Sequence, residues 1–555
     1  MEVNKAISCF GVLYISNKWK YCLTRKQASI LAVWSGFKNM SFEISSMLNP
    51  DVYDHPVDNI ELIETHISWV VLTGDFAYKI KKPVNFGFLD FSTLEKRRIC
   101  CEQELHLNRR LAAAIYLDVV SISGTVDKPV ITITGEGFEF AVKMLQFPQS
   151  AQLDHMLSAG QLKIEHMDAI ALMVADFHRD IPVTDEQMMY GNGNEIYSPV
   201  TENFTQINKH INTRLYEDDL LTLKRWSTAE FSRLESVFEQ RKADGFIREC
   251  HGDMHLRNMI WLDDKPLAFD CIEFSLSLRW IDVISEVAFL VMDLQDRKQF
   301  SLANRFVNSY LEITGDYAGL MILPFYLCYR ALVRAKVSIL QLEQKSLSEQ
   351  EKNKSKIEFA SYLELANSYT RAPKPKLVIT RGMSASGKST LSKQLVDTLG
   401  MIRIRSDVER KRLFSIDVSE SALGEINSGV YSAKASKQTY EKLLELAEHV
   451  IKAGYSVIID AAFLKYEQRE PFEQLAIKLD TPYIILELTA EEEVLRQRII
   501  ERKNDVSDAD LSVLEYQLSN WRALQINELA NMVSVQTDLE LDINNLIHEI
   551  DSRSL

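Results

Sequence analysis

Residues Gly382 to Ser389 read Gly-Met-Ser-Ala-Ser-Gly-Lys-Ser and fit the pattern G-x-x-x-x-G-K-[ST]. The octet follows the apolar run Leu377-Val378-Ile379-Thr380 and leads into a helical pattern from Leu391 to Leu399. Strand, glycine-rich turn and helix in that order constrain the fold more than any other feature of the chain. The glycines let the backbone turn so that its N–H groups and a helix N-terminus converge on phosphate oxygens. Gly382, Met383, Ser384, Ala385, Ser386, Gly387, Lys388, Ser389 and Thr390 are therefore expected to cradle ATP. Lys388 should reach the β- and γ-phosphates, and the Ser389 hydroxyl should help hold Mg²⁺.

A second phosphate chemistry is written further upstream. In His251-Gly-Asp-Met-His-Leu-Arg-Asn258, Asp253 precedes Asn258 by five residues, the spacing of the catalytic Asp and metal-binding Asn in H-R-D-x-x-x-x-N loops. Asp270 stands twelve residues after Asn258, past apolar Met259–Leu262 and the turn-like Asp263-Asp264-Lys265-Pro266. A hairpin of that length returns Asp270 beside Asn258, so both oxygen ligands face one Mg²⁺ site. Phosphoryl transfer needs that set: one carboxylate (Asp253) to orient the attacking hydroxyl, and an Asn with an Asp to hold the metal.

The segments Glu61–Thr65, Ser68–Leu72 and Phe76–Lys82 predict an antiparallel meander turning at Thr73-Gly74-Asp75. Phe76-Ala-Tyr-Lys79 is similar to the V-A-I-K strand, whose Lys pairs with nucleotide phosphates. Lys79 and Lys81 share a strand face and either could serve, though the alanine two residues earlier favours Lys79. Taken alone, such a strand is as readily a solvated edge. Glu104, on the helical stretch that follows, is the expected ion-pair partner. Ile131–Thr134 and Phe138–Leu145 predict two more strands, the second ending in a hinge where Met144 would lie against adenine.

These residues resemble the aminoglycoside phosphotransferases, kinase-like enzymes with H-G-D-x-H-x-x-N. They are closer still to the bifunctional aminoglycoside phosphotransferase/ATP-binding proteins, in which that domain precedes a P-loop kinase. The likeness is carried by Glu64-Thr-His-Ile-Ser-Trp69, Tyr78-Lys-Ile-Lys-Lys-Pro-Val84, Phe86-Gly-Phe-Leu-Asp-Phe91, the His251 loop and Ala268-Phe-Asp-Cys-Ile-Glu-Phe274. It implies Asp253 as base, Asn258 and Asp270 on Mg²⁺, and Lys79 with Glu104 on the nucleotide side. No G-x-G-x-x-G precedes the lysine strand, a departure from protein kinases.

Helices are expected over 169–178, 231–241 and 281–294, with Asp282 and Asp293 in structural roles. Arg330 and Arg334, four apart on one helix face, read as a buried ion-pair network. In the second half, Met401–Arg405 is strand-like and ends at Ser406-Asp407. A carboxylate at the C-terminal edge of a strand beside the phosphate loop stands where doubly wound sheets bind ligands. Asp407 can accept a proton from an attacking hydroxyl, or merely cap the next helix. Arg410 can steer an anionic substrate. Tyr455–Asp460 is a strand whose terminal Asp460 would hold Mg²⁺. Arg498 and Arg502 lie where a lid could close arginines over the transferring phosphoryl group, or form a solvated face. This half resembles the polynucleotide kinase, zeta-toxin and chloramphenicol phosphotransferase group.

The net charge of −15 and pI near 5.4 argue against non-specific binding to nucleic acid or anionic membrane. No run approaches eighteen apolar residues, and the short apolar stretch Ile7–Ile15 lacks a signal-peptide cleavage site. The seven cysteines are odd in number and form no C-x-x-C, which reads as reduced thiols in the cytoplasm. The expected architecture is a bilobal protein-kinase-like α+β domain (40–345), a charged helical linker (346–373) and an α/β P-loop domain with a parallel sheet (374–555). Residues 1–39 read as an extension, leaving Met1 or Met40 as the start. The leading expectation is an ATP-dependent, bifunctional phosphotransferase acting on hydroxyls of small molecules. Two other readings stand beside it: one domain as an ATP sensor controlling the other, or the P-loop half as a nucleic-acid 5′-hydroxyl kinase. The sequence names neither acceptor and leaves the oligomeric state open.

Overall fold

The computed structural model describes residues 42–85, 89–133, 135–185, 187–210, 215–342, 348–371, 374–416, 432–501 and 510–553. The expected extension 1–39, Met40 and Arg502 lie outside the described residues. Among the described residues no helix is long and apolar enough to cross a membrane.

Six strands make the first sheet: β1 (Glu61–Glu64), β2 (Ser68–Leu72), β3 (Phe76–Lys81), β4 (Tyr116–Thr125), β5 (Lys128–Thr132) and β6 (Glu139–Leu145). Their order is β1-β2-β3-β6-β4-β5, and every pairing is antiparallel. β3 therefore lies between β2 and β6, and both of its lysines are buried. That removes the solvated-edge reading. Helix α1 (Leu94–Ala112) is capped by Thr93 Oγ1, which accepts from Lys96 N, and packs on β4 and β6.

The lower lobe is helical. It contains α2 (Ile164–Asp180), α3 (Gly193–His210), α4 (Glu217–Ala243), α5 (Val283–Asp296), α6 (Phe300–Thr314) and α7 (Leu323–Gln341). The short strands β7 (Ile247–Glu249) and β10 (Trp280–Asp282) pair, as do β8 (Met259–Leu262) and β9 (Lys265–Ala268). Residues 281 and 282, expected as the start of a helix, are thus strand, because Asp282 Oδ1 accepts from Ile284 N and caps α5 only from there on. Helix α8 (Glu349–Ser368), capped reciprocally by Ser348 and Glu351, occupies the stretch expected as a linker. It buries Phe359, Tyr362, Leu363 and Ala366 and packs along α7.

The second half is a five-stranded parallel sheet in the order β12-β13-β11-β14-β15. Its strands are β11 (Leu377–Arg381), β12 (Ile402–Arg405), β13 (Val457–Asp460), β14 (Tyr483–Thr489) and β15 (Met532–Gln536). The near-continuous Val/Ile/Leu runs follow from burial on both faces. One face carries α9 (Lys388–Leu399) and α15 (Ile543–Ser552), through Val378, Ile458 and Ile484. The other carries α11 (Ala433–Lys452) and α12 (Tyr466–Lys478), through Leu377, Ile379 and Ile459. The same half also contains α10 (Ser406–Leu413), α13 (Glu492–Glu501) and α14 (Leu511–Ser519).

The two halves are not beads on a string. A single buried apolar cluster runs from Leu153 and Phe289 in the lower lobe to Leu443, Val457 and Ile485 in the P-loop half. Helix α6 lies against the free edge of β12, where Asn308 Nδ2 donates to Met401 O (3.1 Å) and Oδ1 accepts from Arg403 N (2.8 Å). An edge strand leaves backbone groups unpaired, and this buried amide supplies the missing partner. The full chain is therefore expected to unfold in one calorimetric transition. Asn308→Ala, which orphans a buried N–H and C=O, is expected to destabilise it by about 1–3 kcal/mol in chemical denaturation. Two separated transitions in the wild type would show that the halves fold independently.

Candidate active sites

Asp253 sits in the loop between β7 and β8. Gly252 takes φ +88, and a Cβ there would meet Leu278 O at 2.8 Å, so this bend needs glycine. The loop is held from below. Glu286 Oε1 accepts from Gly252 N (2.6 Å), while Glu286 Oε2 meets His178 Nε2 (2.9 Å) and His178 Nδ1 meets Tyr310 OH (2.9 Å). Asp293 accepts from Leu256 N (3.0 Å). Arg330, expected in a buried ion-pair network with Arg334, instead clamps carbonyls, donating to Gly252 O and Ser285 O, while Arg334 keeps an electrostatic interaction with Asp293 and Asp253. The structural roles expected of Asp282 and Asp293 match these contacts.

Asn258 Nδ2 donates to Asp253 Oδ2 (2.9 Å) and Asp253 O (3.0 Å), turning its Oδ1 the other way. The β8–β9 hairpin turns through Asp263 and Asp264, both at positive φ, and Phe269 N donates to Asn258 O. Asp270 is thereby returned beside Asn258, in the left-handed region at φ +63, with its N–H on Tyr116 OH. Burial pushes the Asp253 carboxyl up, but His255 and then Arg334 and His251 outweigh it and hold it well below the usual carboxylate range.

The Lys79 ammonium reaches Glu104 (2.8 Å) and Asp270. Lys81 is fully buried and pairs with the other oxygen of Glu104 and with Glu273. The two lysines differ in their surroundings: Lys79 meets Asp270, whose side chain is 44% exposed, whereas Lys81 is fully buried against Glu104 and Glu273. Met144 is buried where the lobes meet, in a cluster with Ala77 of β3 and Ile260 of β8.

In the second half, Gly382 is required because a Cβ would meet Leu488 O at 2.6 Å. Lys388 Nζ donates to Gly382 O (3.0 Å) and Met383 O (2.6 Å), and Ser384 N to Gln517 Oε1 (2.7 Å). Asp460 ends β13 and accepts from Ser392 Oγ (3.2 Å) one turn into α9. Asp407 is the second residue of α10, not its cap, and its Oδ1 accepts from Arg410 Nη1 (2.9 Å). Arg498 lies against the loop itself, donating to Ala385 O (3.3 Å) and to Thr537 O and Oγ1 (2.8 and 3.0 Å). Lys388, Ser389, Asp407, Arg410, Asp460 and Arg498 line one cleft of about 1090 Å³. Both donor sets, Asn258 with Asp270 and Ser389 with Asp460, are oxygen only, which fits a hard cation such as Mg²⁺.

Residues 377–524 match the AAA domain family. Over 462 residues the chain is 30% identical to the uncharacterized protein Rv2004c of Mycobacterium tuberculosis, covering 83% of this chain and 90% of that one. The chain belongs to the same family as that mycobacterial protein. An ethanolamine kinase of Plasmodium vivax aligns at TM-score 0.37 and 11% identity, over 63% of this chain and 98% of its own. A sugar kinase of Janibacter sp. aligns at TM-score 0.26 and 20% identity, over 33% of this chain and 99% of its own. The fold is the two-domain one expected: a bilobal kinase-like half followed by a parallel-sheet P-loop half.

Sequence reasoning missed the second buried pair, Lys81–Glu273, although Glu273 stands three residues past Asp270. It also missed the His178–Glu286 support, which couples residues 108 apart in sequence. The two lysines make an experiment. Lys81→Met leaves Glu104 and Glu273 short of a buried counter-charge and is expected to destabilise the fold by about 3–5 kcal/mol. Lys79→Met leaves Glu104 paired with Lys81, so it should cost less stability and instead weaken nucleotide binding. Equal destabilisation by both in urea titrations would contradict this assignment.

Proposed function

We propose that this protein is an ATP-dependent phosphotransferase with two sites, each passing the γ-phosphate to a hydroxyl of a small molecule. The supporting observation is that beside each candidate cradle stands one further carboxylate. Asp253 lies 2.9 Å from Asn258 in one, and Asp407 shares a cleft with Lys388 and Asp460 in the other. A pure nucleotide sensor needs the cradle but not the carboxylate.

In the first site, Lys79, held by Glu104, would meet the nucleotide phosphates, and Asn258 with Asp270 would hold Mg²⁺. Asp253 would align the hydroxyl and take its proton as the O–P bond forms. Because Asp253 is held ionised, it is a weak base in the ground state, and its main service is orientation. In the second site, the backbone of 382–390 and Lys388 would hold the phosphates, and Ser389 with Asp460 the Mg²⁺. Asp407, set by Arg410, would receive the hydroxyl proton, and Arg498 would add positive charge beside the loop. Bound Mg²⁺ supplies neutralisation of charge on the phosphate oxygens.

The test is ³²P transfer from ATP to fractionated metabolite pools with each site disabled in turn. Asp253→Asn is expected to abolish one set of labelled products by several orders of magnitude while keeping Mg·ATP affinity. Lys388→Ala and Asp407→Asn should each remove the other set, with Lys388→Ala also weakening nucleotide binding. Wild-type transfer by Asp407→Asn would reduce that carboxylate to a partner of Arg410 and favour the sensor reading. A further expectation concerns pH. The depressed Asp253 value keeps the carboxylate form present above it, so transfer at the first site should stay level from pH 7 down to about 5. An acid limb in that window would assign the proton acceptor to another group.

A further inference from the structure

Arg405 ends β12 and Asp460 ends β13, and the two are register partners on neighbouring parallel strands. Paired residues on adjacent strands present their side chains to the same face. Arg405 Nε nevertheless stands 3.9 Å from Asp460 Oδ2, long for an arginine–carboxylate pair, whose bidentate form closes to about 2.8 Å. The guanidinium is held elsewhere. Its Nη1 donates to Glu312 Oε1 at 3.1 Å, and Glu312 Oε2 takes Arg403 Nη2 at 3.0 Å.

Glu312 does not belong to the P-loop half. It lies in the last turn of α6, in the lower lobe of the kinase-like half. A carboxylate in the last turn of a helix faces the negative end of the helix dipole, which disfavours it there. Burial also pushes Glu312 up, yet Arg403 and Arg405 outweigh it and the carboxyl is held below its usual value. The same helix end is fastened by Arg412, whose Nη2 donates to Glu312 O.

We infer that Glu312 is a positioning residue for the P-loop site: it holds Arg405 away from Asp460 and so keeps that carboxylate open to Mg²⁺. The inference rests on the reading of Asp460 as the Mg²⁺ aspartate. A guanidinium and a divalent cation compete for the same oxygens, so an Arg405 released from Glu312 would close on Asp460 and oppose the metal. The charge at the P-loop metal site is thereby set from the other domain, across the seam between α6 and β12.

Mn²⁺ binding to the full-length protein saturated with AMP-PNP, followed by electron paramagnetic resonance, tests this without turnover. Loss of one class of Mn²⁺ in Lys388→Ala identifies the P-loop class. Glu312→Gln is expected to weaken that class about tenfold, the scale of removing an outer-shell partner of a metal ligand, and to leave the other class unchanged. Adding Arg405→Gln to Glu312→Gln should restore wild-type affinity, because the competing cation is gone. A merely structural role for Glu312 predicts no such rescue. Arg405→Gln alone, which keeps the Glu312–Arg403 pair and the seam, should bind Mn²⁺ at least as tightly as wild type. Unchanged affinity in Glu312→Gln, a double variant as weak as the single, or weaker binding by Arg405→Gln would each overturn the inference. If Lys388→Ala removes no class, the P-loop metal reading itself falls and takes this inference with it.

Discussion

The contact between α6 and the edge of β12 is the constraint on which the rest of the molecule depends. A parallel sheet ending in an unpaired strand exposes a row of N–H and C=O groups, and here the Asn308 side chain closes that row from the other half of the chain. Behind it, one apolar cluster is shared by the lower lobe and one face of the sheet. Neither half has a complete surface without its neighbour. Helix α8 contributes by packing along α7.

Both sites follow one electrostatic logic. At the first, two lysines and three carboxylates (Glu104, Asp270 and Glu273) are gathered in and around a buried pocket. Their formal charge is negative, with Asp270 as the member open to solvent, so the surplus sits where a cation can reach it. At the second, Arg405 stands 3.9 Å from Asp460 and pairs with Glu312 at 3.1 Å. Buried charge in a medium of low polarity must be matched group by group. The residues that do the matching are as much a part of these sites as the ligands.

Much of the local architecture was legible in the chain. The strand-turn-helix around Gly382 and the meander from Glu61 to Lys81 follow period and turn chemistry. The hairpin that returns Asp270 to Asn258 depends only on its own length and two turn residues. Other elements were not legible. The ten-residue β4 (Tyr116–Thr125) went unseen, although it pairs with both β6 and β5 and its Tyr116 receives the Asp270 N–H. β15 went unseen as well; it completes the parallel sheet and carries the chain to Thr537, the partner of Arg498.

The sequence by itself determined the two motifs, their carboxylates and their order along the chain, because each is a short-range pattern whose spacing is the geometry. The alanine two residues earlier only favoured Lys79; tertiary structure decided which lysine meets which carboxylate, since Asp270 and Glu273 arrive from about 190 residues away. It decided that Arg330 grips carbonyls and that Asp407 is no cap. It decided, too, that a glutamate from one half stands beside the phosphate site of the other. Such pairings are set by where helices pack on a sheet edge, and no local period in the chain records that.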